Sequence, residues 1–167
     1  SLDVNAVYQQ VQALPLVVKA TVRKRWPGTL EVQLTEDIPV ALWNSDQLLS
    51  ASGGLSAVPD GMNVSHLTSM QGPAQQAEQA VRYFRRIQQM LNTQSVMVKH
   101  LSISATGSIR VLLSNGWQVE FGRQYFEERV LRLEKLLQYL PQEKVAGIDL
   151  RYGKGAAIRW RHEQEIG

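Results

Sequence analysis

The chain has 167 residues, 44% of them hydrophobic and 20% charged, enough for one or two small domains with a real core. A net charge of +3 is too small to imply nucleic-acid binding without a basic stripe backed by aromatics. The absence of cysteine excludes disulfides, thiolate catalysis and thiolate zinc sites, and no apolar run approaches the roughly 18 to 20 residues that span a bilayer. The chain lacks an initiator Met and opens just before a helix start, so it reads as an excised piece. Any anchor or address would then lie upstream.

Asp3 is a good N-cap, and Val4, Val7, Tyr8, Val11 and Leu14 follow at helical spacing, which predicts an amphipathic helix stopped by Pro15. Val18, Ala20 and Val22 then alternate with Lys19, Thr21 and Arg23, as a half-buried strand does. Pro27-Gly28 suggests a type II turn, and Leu30, Val32 and Leu34 alternate on the return strand. A third strand fits Val40 to Trp43, with Pro39 at its start.

From Asn44 to Pro73, Gly and Pro pairs punctuate short strands and loops, and Asn44 to Asp46 is the expected domain boundary. A helix is expected over 74–91, on the stripe Ala77, Ala80, Val81, Phe84, Ile87 and Leu91. Strand signals follow over 96–103 and 108–113. Asn115-Gly116 marks a hairpin leading into Trp117, Val119 and Phe121. A second helix, 124–140, carries Phe126, Val130, Leu133, Leu137 and Leu140 and stops at Pro141. Two short strands around Gly153-Lys154-Gly155 end the ordered part, before a polar tail expected to fray. No internal repeat is evident. Hairpins separated by single helices predict an α+β fold with mostly antiparallel pairing.

The glycine pair around Lys154 is not a phosphate loop, because no helix follows it and neither P-loop nor GxGxxG spacing is present. His66, His100 and His162 share no metal-ligand spacing, and no serine sits in a nucleophile-elbow context. Glu127 and Glu128 at a helix start suit the helix dipole better than acid catalysis. Lys19, Arg23, Lys24 and Arg25 form a basic strand face with only Trp26 as an aromatic, which fits a solvated face or a dock for an acidic partner. The last strand, 156–160, carries one charge, Arg159. As an edge it would accept another chain's strand, and periodicity alone leaves open whether it is an edge or is covered.

Several motifs in order resemble one family. "LPLVVKATVRKRWPGTLEVQLTEDIPVALWN" is similar to the second half of a POTRA domain in the FtsQ/DivIB family of bacterial cell-division proteins. "MQGP", "SNGWQVEFGR" and "IDLRYGKGAAIRW" resemble loops, hairpin and terminus of that family's β domain. The resemblance runs from about Leu2 to Trp160. It implies residues 1–44 as the C-terminal part of a POTRA domain, 45–160 as the β domain and 161–167 as a tail.

It further implies the periplasmic part of a single-pass inner-membrane protein at the division septum, with no catalysis and no cofactor. Such a protein is a scaffold binding the FtsB–FtsL pair by strand addition to its last strand, alongside divisome proteins such as FtsK, FtsW, FtsI and FtsN. The matching partner-binding positions are Arg151, Tyr152, Gly155 and Trp160. A POTRA recruitment face would use Val4, Val22 and Lys24. Relatives carry a second arginine where this chain has Thr106-Gly107, which leaves Arg110 and Lys154 as candidates to replace it. A POTRA-containing outer-membrane assembly factor is the alternative, and it would require tandem repeats or a barrel.

Overall fold

The computed structural model describes residues 3–14 and 16–162, so Pro15 and the tail from residue 163 lie outside it. Asp3 caps α1 (Val4–Gln12) by accepting from the Asn5 and Ala6 amides, at 3.0 and 3.2 Å. The helix docks through Gln12. Its Nε2 donates to the Val18 carbonyl and its Oε1 accepts from the Ala20 amide, tying α1 to strand β1 (Val17–Arg25). β1 pairs antiparallel with β2 (Thr29–Glu36), and these two strands form a sheet of their own.

The turn between them differs from expectation. Gly28 N–H donates to the Arg25 carbonyl and the Trp26–Pro27 bond is cis. Pro27 therefore takes the third turn position, as in a type VI turn, rather than the second position of a type II turn.

The second sheet contains β3 (Pro39–Trp43), β4 (Gln47–Ser50), β5 (Leu55–Ala57), β6 (Thr68–Gln71), β7 (Val98–Ile103) and β8 (Ile109–Leu113). It is completed by β9 (Gln118–Gly122), β10 (Val145–Asp149) and β11 (Ala157–Trp160), in the order β11-β10-β9-β8-β7-β6-β3-β4-β5. Neighbours joined by short turns are antiparallel. The pairs β6–β7 and β9–β10 are parallel, because α2 (Ala77–Leu91) and α3 (Phe126–Tyr139) carry the chain back between them. β3–β6 is parallel as well, and the remaining ladders are antiparallel. The α+β, mostly antiparallel class expected from the sequence is the one observed.

Strand β3 is the main rearrangement. Expected with the first domain, it instead pairs with β4 and β6 inside the large sheet and has no ladder with β1 or β2. The two-stranded ladder thus ends at Glu36, upstream of the 44/45 boundary. Periodicity marks a strand but carries no information about its partner, which is why this was not legible.

The core lies between the large sheet and the two helices. Ala80, Val81, Ile87 and Leu91 of α2 and Val130, Leu133 and Leu137 of α3 share one buried cluster with Leu101, Val111, Val119, Phe121 and Ile148. Alternation sends His100, Ser102, Arg110, Gln118, Glu120 and Asp149 to the opposite face of the sheet. No helix among the described residues is long and apolar enough to cross a membrane.

Candidate functional site

β11 is the outermost strand of the large sheet, with β10 as its neighbour on one side and no described strand on the other. Ile158 and Ala156 pack inward against the core, while Ala157, Arg159 and Trp160 are exposed. The strand is four residues long, contains no proline, and carries Arg159 as its one charge.

Two arginines that the sequence reading missed hold this edge in place. Arg132 of α3 donates to the Gly155 carbonyl at 3.0 Å and reaches the Leu150 carbonyl at 3.5 Å, pinning the turn to the helix. Arg161 binds the Asn115 and Val145 carbonyls through its side chain at 2.9 and 3.2 Å, and its amide donates to Lys144. Residue 161 is thus an anchor, contrary to the expectation of a tail fraying from that point. Only three-dimensional proximity reveals it, since Asn115 and Arg161 are 46 residues apart.

The predicted site residues occupy both ends of the hairpin. Gly155 N–H donates to the Tyr152 carbonyl at 2.8 Å, closing a turn in which Gly153 has φ +34°. An added Cβ at Gly155 would meet only the Tyr152 carbonyl, at 4.0 Å, so its carbonyl to Arg132 matters more here than its lack of a side chain. Tyr152 is 60% exposed beside the turn and Trp160 is 49% exposed at the far end of β11. Three residue steps, about 10 Å, separate Ala157 from Trp160, so the two aromatics bracket the edge rather than touch.

Arg151 is already engaged. Its Nε and Nη2 meet the two Asp149 oxygens at 3.0 and 2.8 Å, and its amide donates to the same carboxylate. Hydrogen bonding from Arg151 holds the Asp149 carboxyl below the usual carboxylate range, against the opposing effect of burial. The candidates for a second arginine fare unequally. Arg110 is bound by Glu120 at 2.7 Å across the β8–β9 ladder, whereas Lys154 sits exposed in the turn with no ion pair among the described residues.

Beneath the hairpin the open sheet face forms a hollow of about 320 Å³ lined by Arg110, Glu120, Asp149 and Arg159 among others. Arg159 folds back over Gly147 to bond Gln118 at 3.2 Å; a Cβ at Gly147 would lie 2.7 Å from its Nη2. A second cleft, about 360 Å³, opens where β9 meets α3 and includes Thr106, Gly122, Arg123, Arg129 and Arg151.

The expected recruitment residues lie far along the chain from this edge, in the two-stranded unit. Val22 and Lys24 share one face of β1, opposite Val32 and Leu30 of β2, while Val4 is half-buried on α1. The hairpin tip carries Trp26, 95% exposed, and Arg23 and Arg25 both pair with Glu31. That pairing spends much of the basic strand face internally, leaving Lys19 and Lys24 as its cations without an ion pair among the described residues.

Among the described residues no group of three or more His, Cys, Asp or Glu is placed to hold a metal ion. A family model described as "Cell division protein FtsQ/DivIB, C-terminal" matches residues 41–151, and one described as "POTRA domain, FtsQ-type" matches residues 1–37. The first match starts within β3, in keeping with that strand's place in the large sheet, and stops at Arg151, before β11.

Whole-chain similarity extends further. The chain is 33% identical to Cell division protein FtsQ of Vibrio cholerae, covering 99% of this chain and 65% of that protein. It is 31% identical to Cell division protein FtsQ of Escherichia coli, covering 95% of this chain and 60% of that one. With the protein of the same name from Xanthomonas campestris pv. campestris the identity is 34%, over 92% of this chain and 56% of the relative. The chain therefore spans less than two thirds of the length of these relatives. Matched over most of its length in both units, it belongs to the FtsQ/DivIB family of cell division proteins.

Proposed function

We propose that this chain is the periplasmic part of a single-pass inner-membrane protein at the division septum and acts there as a non-catalytic scaffold. In this reading it binds the FtsB–FtsL pair by strand addition to β11. The observation that carries the reading is the outer side of β11, which pairs with no other strand among the described residues and so leaves its ladder groups open to a partner's strand. Backbone bonds along β11 would set register, and Tyr152 and Trp160 would supply amphipathic anchors at its two ends. Arg132 and Arg161 keep the strand in position before the partner arrives, which lowers the ordering cost of binding.

The two-stranded unit serves recruitment in this reading, through Val4, Val22 and Lys24, toward other divisome proteins such as FtsK, FtsW, FtsI and FtsN. Calorimetric titration with the FtsB–FtsL pair tests the main site. Tyr152→Ala and Trp160→Ala should each abolish measurable binding while the circular dichroism spectrum and melting temperature stay close to wild type. Unchanged affinity in both variants would overturn the assignment of β11.

A further inference from the structure

The tip of the β1–β2 hairpin presents an indole to solvent. Trp26 is 95% exposed, more than any other large apolar side chain among the described residues. It sits beyond the last ladder pair, Arg25 opposite Thr29, and its turn neighbours Pro27 and Gly28 are exposed as well. A tryptophan here contributes none of the burial that a side chain of its size offers, so the turn itself gives no reason for it. One environment does suit it. The indole ring is apolar and its N–H is a donor, and tryptophan settles where lipid headgroups meet water.

Charge around the tip matches an anionic surface. Arg23 and Arg25 lie on one face of β1, and Lys24 lies on the other, opposite Leu30. All three are exposed. Glu31 is the only carboxylate from Val17 to Thr35, and it bonds Arg23 at 3.0 Å and Arg25 at 2.8 Å. Arg23, Lys24 and Arg25 against Glu31 leave a net +2 on the last turn of the hairpin.

The path of the chain makes this the free end of its unit. β2 runs from Thr29 at the tip to Glu36, just before β3 of the large sheet, and β1 starts at the same junction, with Val17 opposite Glu36. Seven residue steps, about 23 Å, separate Thr29 from that junction.

We propose that the hairpin tip contacts the surface of an anionic phospholipid bilayer, with the Trp26 indole among the headgroups and Arg23, Lys24 and Arg25 beside their phosphates. This contact is separate from strand addition at β11 and needs no protein partner. Where an upstream span holds the chain at a bilayer, as proposed above, the contact is intramolecular and few residues suffice. Shape favours lipid over protein. A protein partner of ordinary size covers about 800 Å² of its target, whereas a narrow turn with cations on both faces meets a plane of headgroups end-on.

Vesicle sedimentation tests it, with the full chain added to vesicles of equal parts phosphatidylglycerol and phosphatidylcholine, and to phosphatidylcholine alone. Bound protein should rise with lipid in the first and stay near background in the second. Trp26→Ala should lower the partition coefficient about tenfold, and the double variant Lys24→Gln, Arg25→Gln about tenfold at low salt. Acyl chains brominated near the headgroup should quench part of the tryptophan emission, and that part should vanish in Trp26→Ala. Trp43 and Trp117 are buried, so they stay out of reach of the quencher. Because Trp26 is so exposed, its variant should melt with the wild type.

No partitioning at millimolar lipid would overturn the proposal, as would equal partitioning of wild type and Trp26→Ala. Salt-reversible binding without bromine quenching would leave adsorption by the cations alone and overturn the place given to Trp26. A chain that ignores vesicles but loses a division protein's binding in Trp26→Ala would assign the tip to a protein and overturn it too. Vesicle binding as expected, with no affinity for the FtsB–FtsL pair, would sustain this contact while overturning strand addition.

Discussion

The two units solve the problem of burial very differently. In the two-stranded unit, Ala20 is the only buried apolar residue among the described residues before Ile38, and α1 buries none at all. In the large sheet, Trp43, Trp117 and Phe121 are essentially inaccessible, along with most of the inward positions of β7, β8 and β9. The first unit is held by local devices: a helix cap, a hairpin, and Gln12 bonded to the edge of β1. The second is held by a continuous core sealed by two helices. Local devices contribute about 1 kcal/mol each, whereas a buried tryptophan contributes several. The difference teaches where each unit can be damaged.

The largest effect separates them most cleanly. Trp117→Ala should cost about 3–5 kcal/mol in denaturant unfolding of the large sheet. Val32→Ala, at a half-exposed position of β2, should cost less than about 1 kcal/mol. Comparable losses would erase the contrast between the units.

Next comes the anchor of the edge. Arg161→Ala removes two side-chain bonds to carbonyls and should cost about 1–2 kcal/mol, concentrated in β10 and β11. Native-state hydrogen exchange checks the location: amides of β11 should lose protection while those of β7 and β8 keep theirs. A uniform loss would mean that the edge is not a separable element.

A smaller change tests the local unit. Asp3→Ala removes the cap of α1 and should cost about 1 kcal/mol, read as helix fraying by chemical shifts over residues 4–8. Because that helix has no buried residue to fall back on, the fraying should be visible without denaturant. The large sheet should be indifferent to it.

Acid gives the weakest effect, with a defined sign. The Arg151 hydrogen bond holds the Asp149 carboxyl below its ordinary range, and the Arg86 hydrogen bond does the same for Glu127. Carboxyls depressed in the folded state add stability that is full above their unfolded pKa and is lost as pH falls through the folded one. Melting temperature of the large sheet should therefore be flat from neutrality to about pH 5 and decline below about pH 4. Each pair has one well-exposed partner, Glu127 or Arg151, so solvent screens it, the decline should be shallow, and salt should weaken it further. In Asp149→Asn the portion due to that pair should disappear.

Much of this was readable in advance because it depends on near neighbours. The cap at Asp3, the stripes of α2 and α3, the alternation of β7 and β8 and the strand pair at the end of the chain all follow from spacing of two or about three and a half residues. Even there, local reading slipped where geometry offers alternatives. Pro27 took the cis position of its turn, whereas at Asn115-Gly116 the expected hairpin forms, with Gly116 at φ +90°. Glu127, read as serving the helix dipole, also bridges α3 to Arg86 on α2.

What the sequence by itself determined was each element's kind, the apolar face it presents, and the ordered motifs that mark the family. Tertiary structure alone decided which strands became neighbours. It moved β3 into the large sheet, left β11 on its rim, set Arg161 against Asn115 and gathered Arg123, Arg129 and Arg151 around Gly122. The physical reason is that periodicity records a residue's environment as buried or wet, whereas pairing and charge convergence depend on residues distant in the chain.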